Sequence, residues 1–172
     1  DLANQYGVNK NRFFVGATSC VNYMAMNNAR APFDNVNLRK AVEYAIDRPA
    51  QVRLLGKYAG RRTSQILVPG IPGYQAYNAY PLKGADVAKA KQLMQQSGVS
   101  LPVSTTLRTR SDAPGFLEMA QAVQSELKPI GINVQIKSAP DSVNYGIIST
   151  RANKIPMGIN NWTQDYPDGD DF

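Results

Sequence analysis

The spacing of apolar residues switches between the strand and helix periods along the chain. Residues 13–27, FFVGATSCVNYMAMN, are rich in β-branched and aromatic side chains and predict one or two strands. In NVNLRKAVEYAIDR the apolar residues from Leu38 to Ile46 recur at i, i+3, i+4, i+7 and i+8, the period of a helix. This stretch therefore predicts an amphipathic helix, with Asn35 or Asn37 as its N-cap.

A long segment without helix or strand period follows. The pattern first predicts a short second helix, PAQVRLL, which begins near Asp47 and ends at Gly56. Residues 57–84 are then rich in Pro, Gly and Tyr. Irregular segments of this length are uncommon inside a compact domain and tend to be functional or to cover a partner.

The second half of the chain alternates helices and strands. Asp86 is the predicted N-cap of the helix VAKAKQLMQQS, which Gly98 ends. LPVSTTLRT then predicts a strand, INVQIK another, and DAPGFLEMAQAVQSELKP the helix between them. The inward residues of that helix are predicted to be Phe116, Leu117, Ala120, Val123 and Leu127.

Strand, helix and strand without room for a hairpin predict a right-handed parallel crossover. A further helix, about Asp141 to Ala152, and a strand, PMGINNW, extend the same layer. The predicted fold class is therefore α/β, with helices flanking a mixed, mostly parallel sheet.

Composition narrows the chemistry that this fold can perform. The 172 residues, 43% of them hydrophobic, are enough for one globular domain or one lobe of a larger protein. There is no histidine, and Cys20 is the single cysteine, which excludes Ser/His/Asp and Cys/His nucleophile pairs, the usual zinc sites and dithiol redox motifs. Cys20 lies in an apolar run, where we expect a small buried side chain.

Charge and targeting signals add two further limits. The net charge is +6, but the basic residues are scattered rather than clustered with aromatics, so nucleic-acid binding is not expected. No apolar run approaches the roughly 20 residues of a membrane-spanning helix. The first residues, DLANQYGVNKNRFFVG, lack the order of a signal peptide, so an exported protein would have lost that segment.

The last residues, INNWTQDYPDGDDF, concentrate acids and aromatic side chains after a short apolar strand. At a strand end Trp162 would offer an aromatic face and Asp165 a carboxylate, a pair suited to an organic cation. The same residues also fit a turn with solvated acids and a Trp packed in the core, and the residues alone leave both interpretations open. The acids lack the spacing of a calcium loop, so we expect neither a metal nor a cofactor.

Four segments together resemble a known family. They are YMAMNNARAPFDNVNLRKAVEYAIDR, ADVAKAKQLMQQSG, LKPIGINVQI and NNWTQDYPDGDDF. In this order they resemble the second, C-terminal lobe of oligopeptide- and dipeptide-type (family 5) extracellular solute-binding proteins of bacterial ABC transporters. The resemblance implies one lobe of a two-lobed, type II periplasmic-binding-protein-like fold. Residues 1–20 would then be a lead-in or inter-lobe segment, and residues 21–172 a lobe that stops before the chain returns to the first lobe. Such an excised piece would account for the acidic end and the missing export signal.

The resemblance also implies a function. Proteins of this kind are not enzymes; they capture peptides outside the cytoplasm, in the periplasm or on a lipid anchor, and deliver them as monomers to a membrane permease by hinge closure. By position, Asp165 would hold the peptide α-ammonium and Trp162 would cover the ligand, with Tyr166 and Asn27 as further candidate contacts. Asn27 is equally explained by hydrogen bonds to backbone. Gly169 stands where relatives commonly carry Pro, which puts the placement of Asp168 in doubt.

Other functions remain open at the level of sequence. Relatives of this kind also bind oligosaccharides, nickel complexes, opines or haem, and Trp162 would stack on a sugar ring as readily as it covers a peptide. A carboxylate-based glycosidase could pair Asp165 with Asp168 or Glu118. The Tyr-rich loop from Tyr58 to Tyr80 would suit an interaction domain.

Overall fold

The computed structural model describes residues 2–16, 18–148, 150, 154–166 and 168–171. Four strands are described: β1 (Cys20–Met26), β2 (Val103–Arg110), β3 (Ile132–Ala139) and β4 (Met157–Thr163). The helices are α1 (Leu2–Tyr6), α2 (Val36–Ala45), α3 (Arg48–Leu55), α4 (Val87–Ser97), α5 (Phe116–Leu127) and α6 (Asp141–Ile148). Short 3-10 turns lie at Lys128–Ile130 and Gly169–Asp171.

The four strands form one mixed sheet in the order β1-β4-β2-β3. β2 pairs in parallel with β3, from Val103 opposite Ile132 to Arg110 opposite Ala139, and it also pairs in parallel with β4. β1 pairs with β4 in the antiparallel direction. The predicted α/β class with a mixed, mostly parallel sheet is therefore confirmed.

The apolar core lies on one face of this sheet, which we call the core face. Alternate residues of the strands, among them Leu107, Ile132 and Met157, are fully buried there against α2, α4 and α5. The core side chains of those helices include Leu38, Val42, Leu93, Met119, Val123 and Leu127. The other face carries the alternate side chains Tyr23, Asn160, Trp162 and Arg108, and we call it the open face; α6 contacts it through Asn144.

Local capping signals place the helix ends as the sequence predicted. The Asn35 side chain accepts hydrogen bonds from the backbone N–H groups of Asn37 and Leu38 and so caps α2. Asp47 and Asp86 cap α3 and α4 in the same way. Gly98 ends α4 in the left-handed conformation, at φ +69°, where a residue without Cβ avoids a steric cost.

Two element starts and one inward-facing position differ clearly from the prediction. Residues 13–27 were predicted to form one or two strands, but only Cys20–Met26 do so; Asn9 N–H donates to the Phe13 carbonyl and closes a tight turn over residues 9–13. α5 begins at Phe116 rather than near Asp112. Leu117 was predicted to face inward, but it is 37% exposed, and Met119 occupies the inward position at 4%.

The last predicted helix and the long loop agree with the sequence where the structure describes them. α6 begins at Asp141 and its described part ends at Ile148; residues 149 and 151–152 of the prediction lie outside the described residues. Residues 57–84 contain neither helix nor strand, as predicted. Arg48 fastens this segment, because its guanidinium donates to the carbonyls of Thr63 and Pro81 while it pairs with Glu43.

Candidate functional site

The strand order creates a switch point between β2 and β4. The chain leaves β2 through α5 to reach β3 on one side, and it leaves β3 through α6 to reach β4 on the other side of β2. In α/β sheets, ligands bind outside the carboxyl ends of the strands where the order reverses in this way. Arg110 ends β2 at this point, and its Nη1 donates to Asn161 Oδ1 of β4 over 2.8 Å.

Arg110 is held by acids and by an aromatic ring. Its Nε lies 3.2 Å from Asp141 Oδ1 and 3.9 Å from Asp112 Oδ1, and its guanidinium carbon lies 5.0 Å from the centre of the Phe116 ring. Nε is buried, and although it is close to Asp141 it makes no well-aligned hydrogen bond there. The acids orient the cation and partly offset its charge, and both are about half-exposed.

A cavity of about 540 Å³ lies on the open face next to this point. Trp162 and Arg110 line it at the carboxyl end of β4, and Asn27 and Pro156 line it at the opposite end. Gly158, which has no side chain, lines it on the sheet side, while Tyr145 and Ile148 of α6 line it on the other. The cavity is mainly apolar with a few polar groups, the composition typical of small-molecule sites.

Arg108 gives this cavity a second cation. Its Nε donates to Asn144 Oδ1 over 3.1 Å, and among the described residues it forms no ion pair. Asn144 is buried, and its Nδ2 donates to the carbonyls of Thr109 and Ala139 at 2.7 and 2.8 Å. Because all three bonds fix Asn144, the orientation of Arg108 is fixed as well.

Tyr23 adds a neutral hydroxyl to the same cavity. It pairs with Asn160 across the two antiparallel strands, and both side chains lie on the open face. Burial raises the pKa of Tyr23 above its ordinary value, because the phenolate would lose hydration. The group therefore stays protonated near neutral pH and can both donate and accept a hydrogen bond.

The structure places two of the sequence-predicted site residues at opposite ends of the cavity. Trp162 is half-buried, and its indole Nε1 is buried without a hydrogen-bond partner among the described residues. Asn27 donates through its side chain to Ile155 O and through its backbone to Pro156 O. Along β4 these positions are about 20 Å apart, at roughly 3.3 Å per residue.

The other two predicted residues lie beyond β4, outside the lining of the cavity. Asp165 is exposed, and its backbone N–H donates to Asp171 Oδ2 over 2.6 Å. Tyr166 is also exposed, and the negative charge of Asp170 is the largest of the causes that raise its pKa. Asp165 and Trp162 thus share the carboxyl end of β4, but only Trp162 contributes to the cavity wall.

The turn after β4 explains a glycine in the acidic segment. A Cβ at Gly169 would lie 2.9 Å from the Pro72 carbonyl oxygen, closer than real Cβ contacts. Asp168 Oδ1 accepts a hydrogen bond from the Gly169 backbone, so this acid serves the turn. Gly169 therefore lets the turn approach the long loop, which a bulkier residue would prevent.

Sequence reasoning missed the two arginines, Tyr23 and Asn144. A signal for the arginines was present, because Arg108 and Arg110 alternate at the carboxyl end of a predicted parallel strand, and such strand ends meet at one edge of a sheet. Asn144 carried no signal, since a single Asn inside a helical pattern is common. Nothing in the sequence distinguishes Tyr23 from other aromatic residues in strands.

The described part of the chain was also searched for a metal site, a pair of catalytic carboxylates and a membrane-spanning helix. No group of three or more potential metal ligands occurs among those residues. Glu118 is exposed on α5, which packs on the core face, and neither Glu118 nor Asp165 lines the cavity. Of the helices described, none is long and apolar enough to cross a membrane.

Comparison with known proteins gives one family. The model of the bacterial extracellular solute-binding proteins, family 5 Middle, matches residues 1–172. The glutathione-binding protein GsiB of Escherichia coli strain K12 is 33% identical over 131 residues, which are 74% of this chain and 25% of GsiB. The chain thus spans about a quarter of the length of the curated relatives it matches.

Solved structures that resemble this chain include peptide-binding proteins. A dipeptide-binding protein from Pseudoalteromonas sp. SM9913, in complex with Met-Leu, matches 90% of this chain and 30% of its own, with a TM-score of 0.78 and 26% identity. The periplasmic binding protein DppA of Helicobacter pylori, in complex with the peptide STSA, matches 90% of this chain and 29% of its own, with a TM-score of 0.76 and 25% identity. With its four-stranded mixed sheet, its switch point and a family match over its whole length, this chain belongs to family 5 of the bacterial extracellular solute-binding proteins.

Proposed function

We propose that this chain is the second lobe of a two-lobed, monomeric receptor that captures short peptides outside the cytoplasm and delivers them to the permease of an ABC importer. The family supports this assignment, and so do the relatives, whose names and titles mention glutathione, the dipeptide Met-Leu and the peptide STSA. The protein is a binding module, and the chemistry of transport lies with the importer.

The observation that carries the proposal is the distribution of charge at the carboxyl edge of β2 and β4. The edge holds an exposed carboxylate, Asp165, and two arginines, Arg108 and Arg110, with Trp162 between them in sequence and on the cavity wall. A short peptide is a zwitterion with an ammonium group at one end and a carboxylate at the other. An edge with separate acidic and basic groups matches both ends, whereas a sugar would need neither.

Hinge closure strengthens the interaction of these charged groups with the ligand. In the open receptor Asp165 is hydrated and binds a cation weakly. When a second lobe covers the edge, water leaves and charge-assisted hydrogen bonds to the ligand strengthen. A ligand that touches both lobes therefore stabilises the closed arrangement. In this scheme Trp162 covers the ligand, Tyr166 borders it, and Asn27 acts from a distance by tying β1 to the start of β4.

The test compares free and N-acetylated forms of one dipeptide by calorimetry in the full-length receptor. Asp165→Asn should weaken binding of the free peptide by about 2–5 kcal/mol, because it leaves the buried ammonium without a counter-charge. It should leave the already weak binding of the N-acetylated peptide nearly unchanged. Asp168→Asn, which removes an acid from the adjacent turn, is the matched control and should have little effect on either form. Equal losses for both peptide forms would contradict the role of Asp165.

Ligand class is tested separately. Mass spectrometry of small molecules that co-purify with the full-length receptor should identify peptides. An oligosaccharide, an opine or a nickel complex in their place would keep the receptor function and reject the peptide assignment. Turnover of chromogenic glycosides, which we do not expect, would instead support a glycosidase.

A further inference from the structure

Two segments that are distant in sequence meet at an aromatic contact. The ring of Phe13 packs edge-on against the ring of Tyr58, with 5.5 Å between centroids. The turn over residues 9–13 is fixed by a hydrogen bond from Val15 N–H to Asn9 Oδ1. With Phe13 in contact with Tyr58, the next residue, Phe14, is left 72% exposed.

The meeting of these segments concentrates positive charge. Residues 8–16 and 53–62 contain no Asp or Glu. Their cations are all exposed, and none takes part in the ion pairs found among the described residues. We call this surface the basic patch; its cations are Lys10, Arg12, Arg53, Lys57, Arg61 and Arg62.

Apolar side chains are exposed within the same patch. Besides Phe14, Val8 and Leu54 are 40% and 41% exposed, and Lys57 Nζ lies 5.3 Å from the centre of the Tyr58 ring. The cavity of the candidate site is lined by no residue of the patch. The patch is therefore a surface of exposed cations and exposed apolar side chains, separate from that cavity.

We propose that the basic patch docks this lobe on a membrane surface that carries anionic phospholipids. Phosphate headgroups match two segments that carry cations and no acids, and the apolar side chains match the region just below the headgroups. An acidic protein surface would match the cations alone. Docking would hold the receptor close to a membrane-embedded importer, and it goes beyond the ligand-binding function proposed above.

The test is co-sedimentation of the full-length receptor with vesicles of phosphatidylcholine that contain about one quarter phosphatidylglycerol. Binding should be present at low salt, should weaken as salt rises, and should be absent with pure phosphatidylcholine. Arg61→Gln with Arg62→Gln should weaken binding roughly 25-fold, at about fivefold per basic residue. Phe14→Ser should also weaken it.

Matched controls separate the patch from net charge. Lys83→Gln with Lys137→Gln removes the same charge from exposed positions outside the two segments and should leave vesicle binding nearly unchanged. Both double variants should bind peptide normally, so a failure of this proposal is distinguishable from a failure of the receptor function. Equal losses for the two double variants, no binding to anionic vesicles, or binding to purified permease without any binding to vesicles would overturn the proposal.

Discussion

Glu126 should make this protein less stable as pH rises towards and above neutrality, the opposite of what most carboxylates do. It lies on α5 where that helix packs against α3, and its carboxylate accepts a hydrogen bond from Gln51 Nε2 over 3.1 Å. Burial raises the pKa of Glu126 from 4.5 to about 7, and the hydrogen bond from Gln51 only partly opposes this effect. The folded protein therefore binds a proton at this site more tightly than the unfolded chain does.

The sign and size of this effect on stability follow from the pKa of Glu126 in the unfolded chain and in the folded protein. A raised pKa contributes stability that is fully present below pH 4.5 and is lost as pH rises through about 7. The difference, 7 − 4.5, corresponds to about 3.4 kcal/mol at 1.36 kcal/mol per pKa unit. The residue is only partly buried, so solvent screening reduces the expected effect to about 1–2 kcal/mol.

Glu126→Gln tests this reasoning, because Gln resembles the protonated acid and can still accept the bond from Gln51. At about pH 8 the variant should be more stable by about 1–2 kcal/mol, or roughly 3–6 °C in Tm, and at about pH 4 the difference should vanish. Denaturant unfolding followed by circular dichroism at both pH values measures it. Glu118→Gln removes the same charge from an exposed position of α5 and should not reproduce the gain. A variant that is no more stable at pH 8, or equally stabilised at both pH values, would refute the argument.

Two further substitutions test the packing that positions the site. Asn144→Ala should cost about 2–4 kcal/mol in denaturant unfolding, because it removes the hydrogen bonds that Asn144 donates to the Thr109 and Ala139 carbonyls and the one it accepts from Arg108 Nε, whereas Ser142→Ala on the exposed side of α6 should be nearly neutral. Gly131→Ala should lower the free energy of unfolding by about 1–2 kcal/mol, because Gly131 has φ +85° and a Cβ would lie 3.0 Å from Leu101 Cδ1. Gly146→Ala is the control: it lies in α6, where a Cβ would meet nothing within 4 Å, and should stabilise the protein slightly. A Gly131→Ala variant that is more stable than the unchanged protein would contradict this account.

Local signals in the sequence were sufficient for most helices and strands. Asn35, Asp86 and Gly98 act within a few residues of themselves, so helix ends that depend on them could be predicted from the chain. The start of α5 could not, because Asp112, the first residue of the predicted helix, instead accepts a hydrogen bond from the Asp141 N–H at the start of α6. That contact joins residues that are distant in sequence, and no local pattern reports it.

In the candidate site, too, some residues could be identified from local sequence patterns and others only from contacts between distant segments. Trp162 and Asp165 stood out because aromatic and acidic residues follow a recognisable strand. Arg108 and Arg110 gain their meaning only from the sheet order, which brings the ends of β2 and β4 together. Asn144 matters through three hydrogen bonds that the sequence does not encode by spacing. Asn27 lies at the far end of the cavity because β1 runs antiparallel to β4, a pairing that sequence patterns did not specify.

The position of β4 between β1 and β2 has a consequence for the order of folding. Met26 of β1 pairs with Met157 of β4, a separation of 157 − 26 = 131 residues. Closing a loop of that length costs more entropy than pairing residues that are near in sequence. β2, α5 and β3 can therefore assemble first, whereas β1 remains an unpaired edge until β4 is in place. Because β4 lies between β1 and β2, its insertion joins β1 to the rest of the sheet.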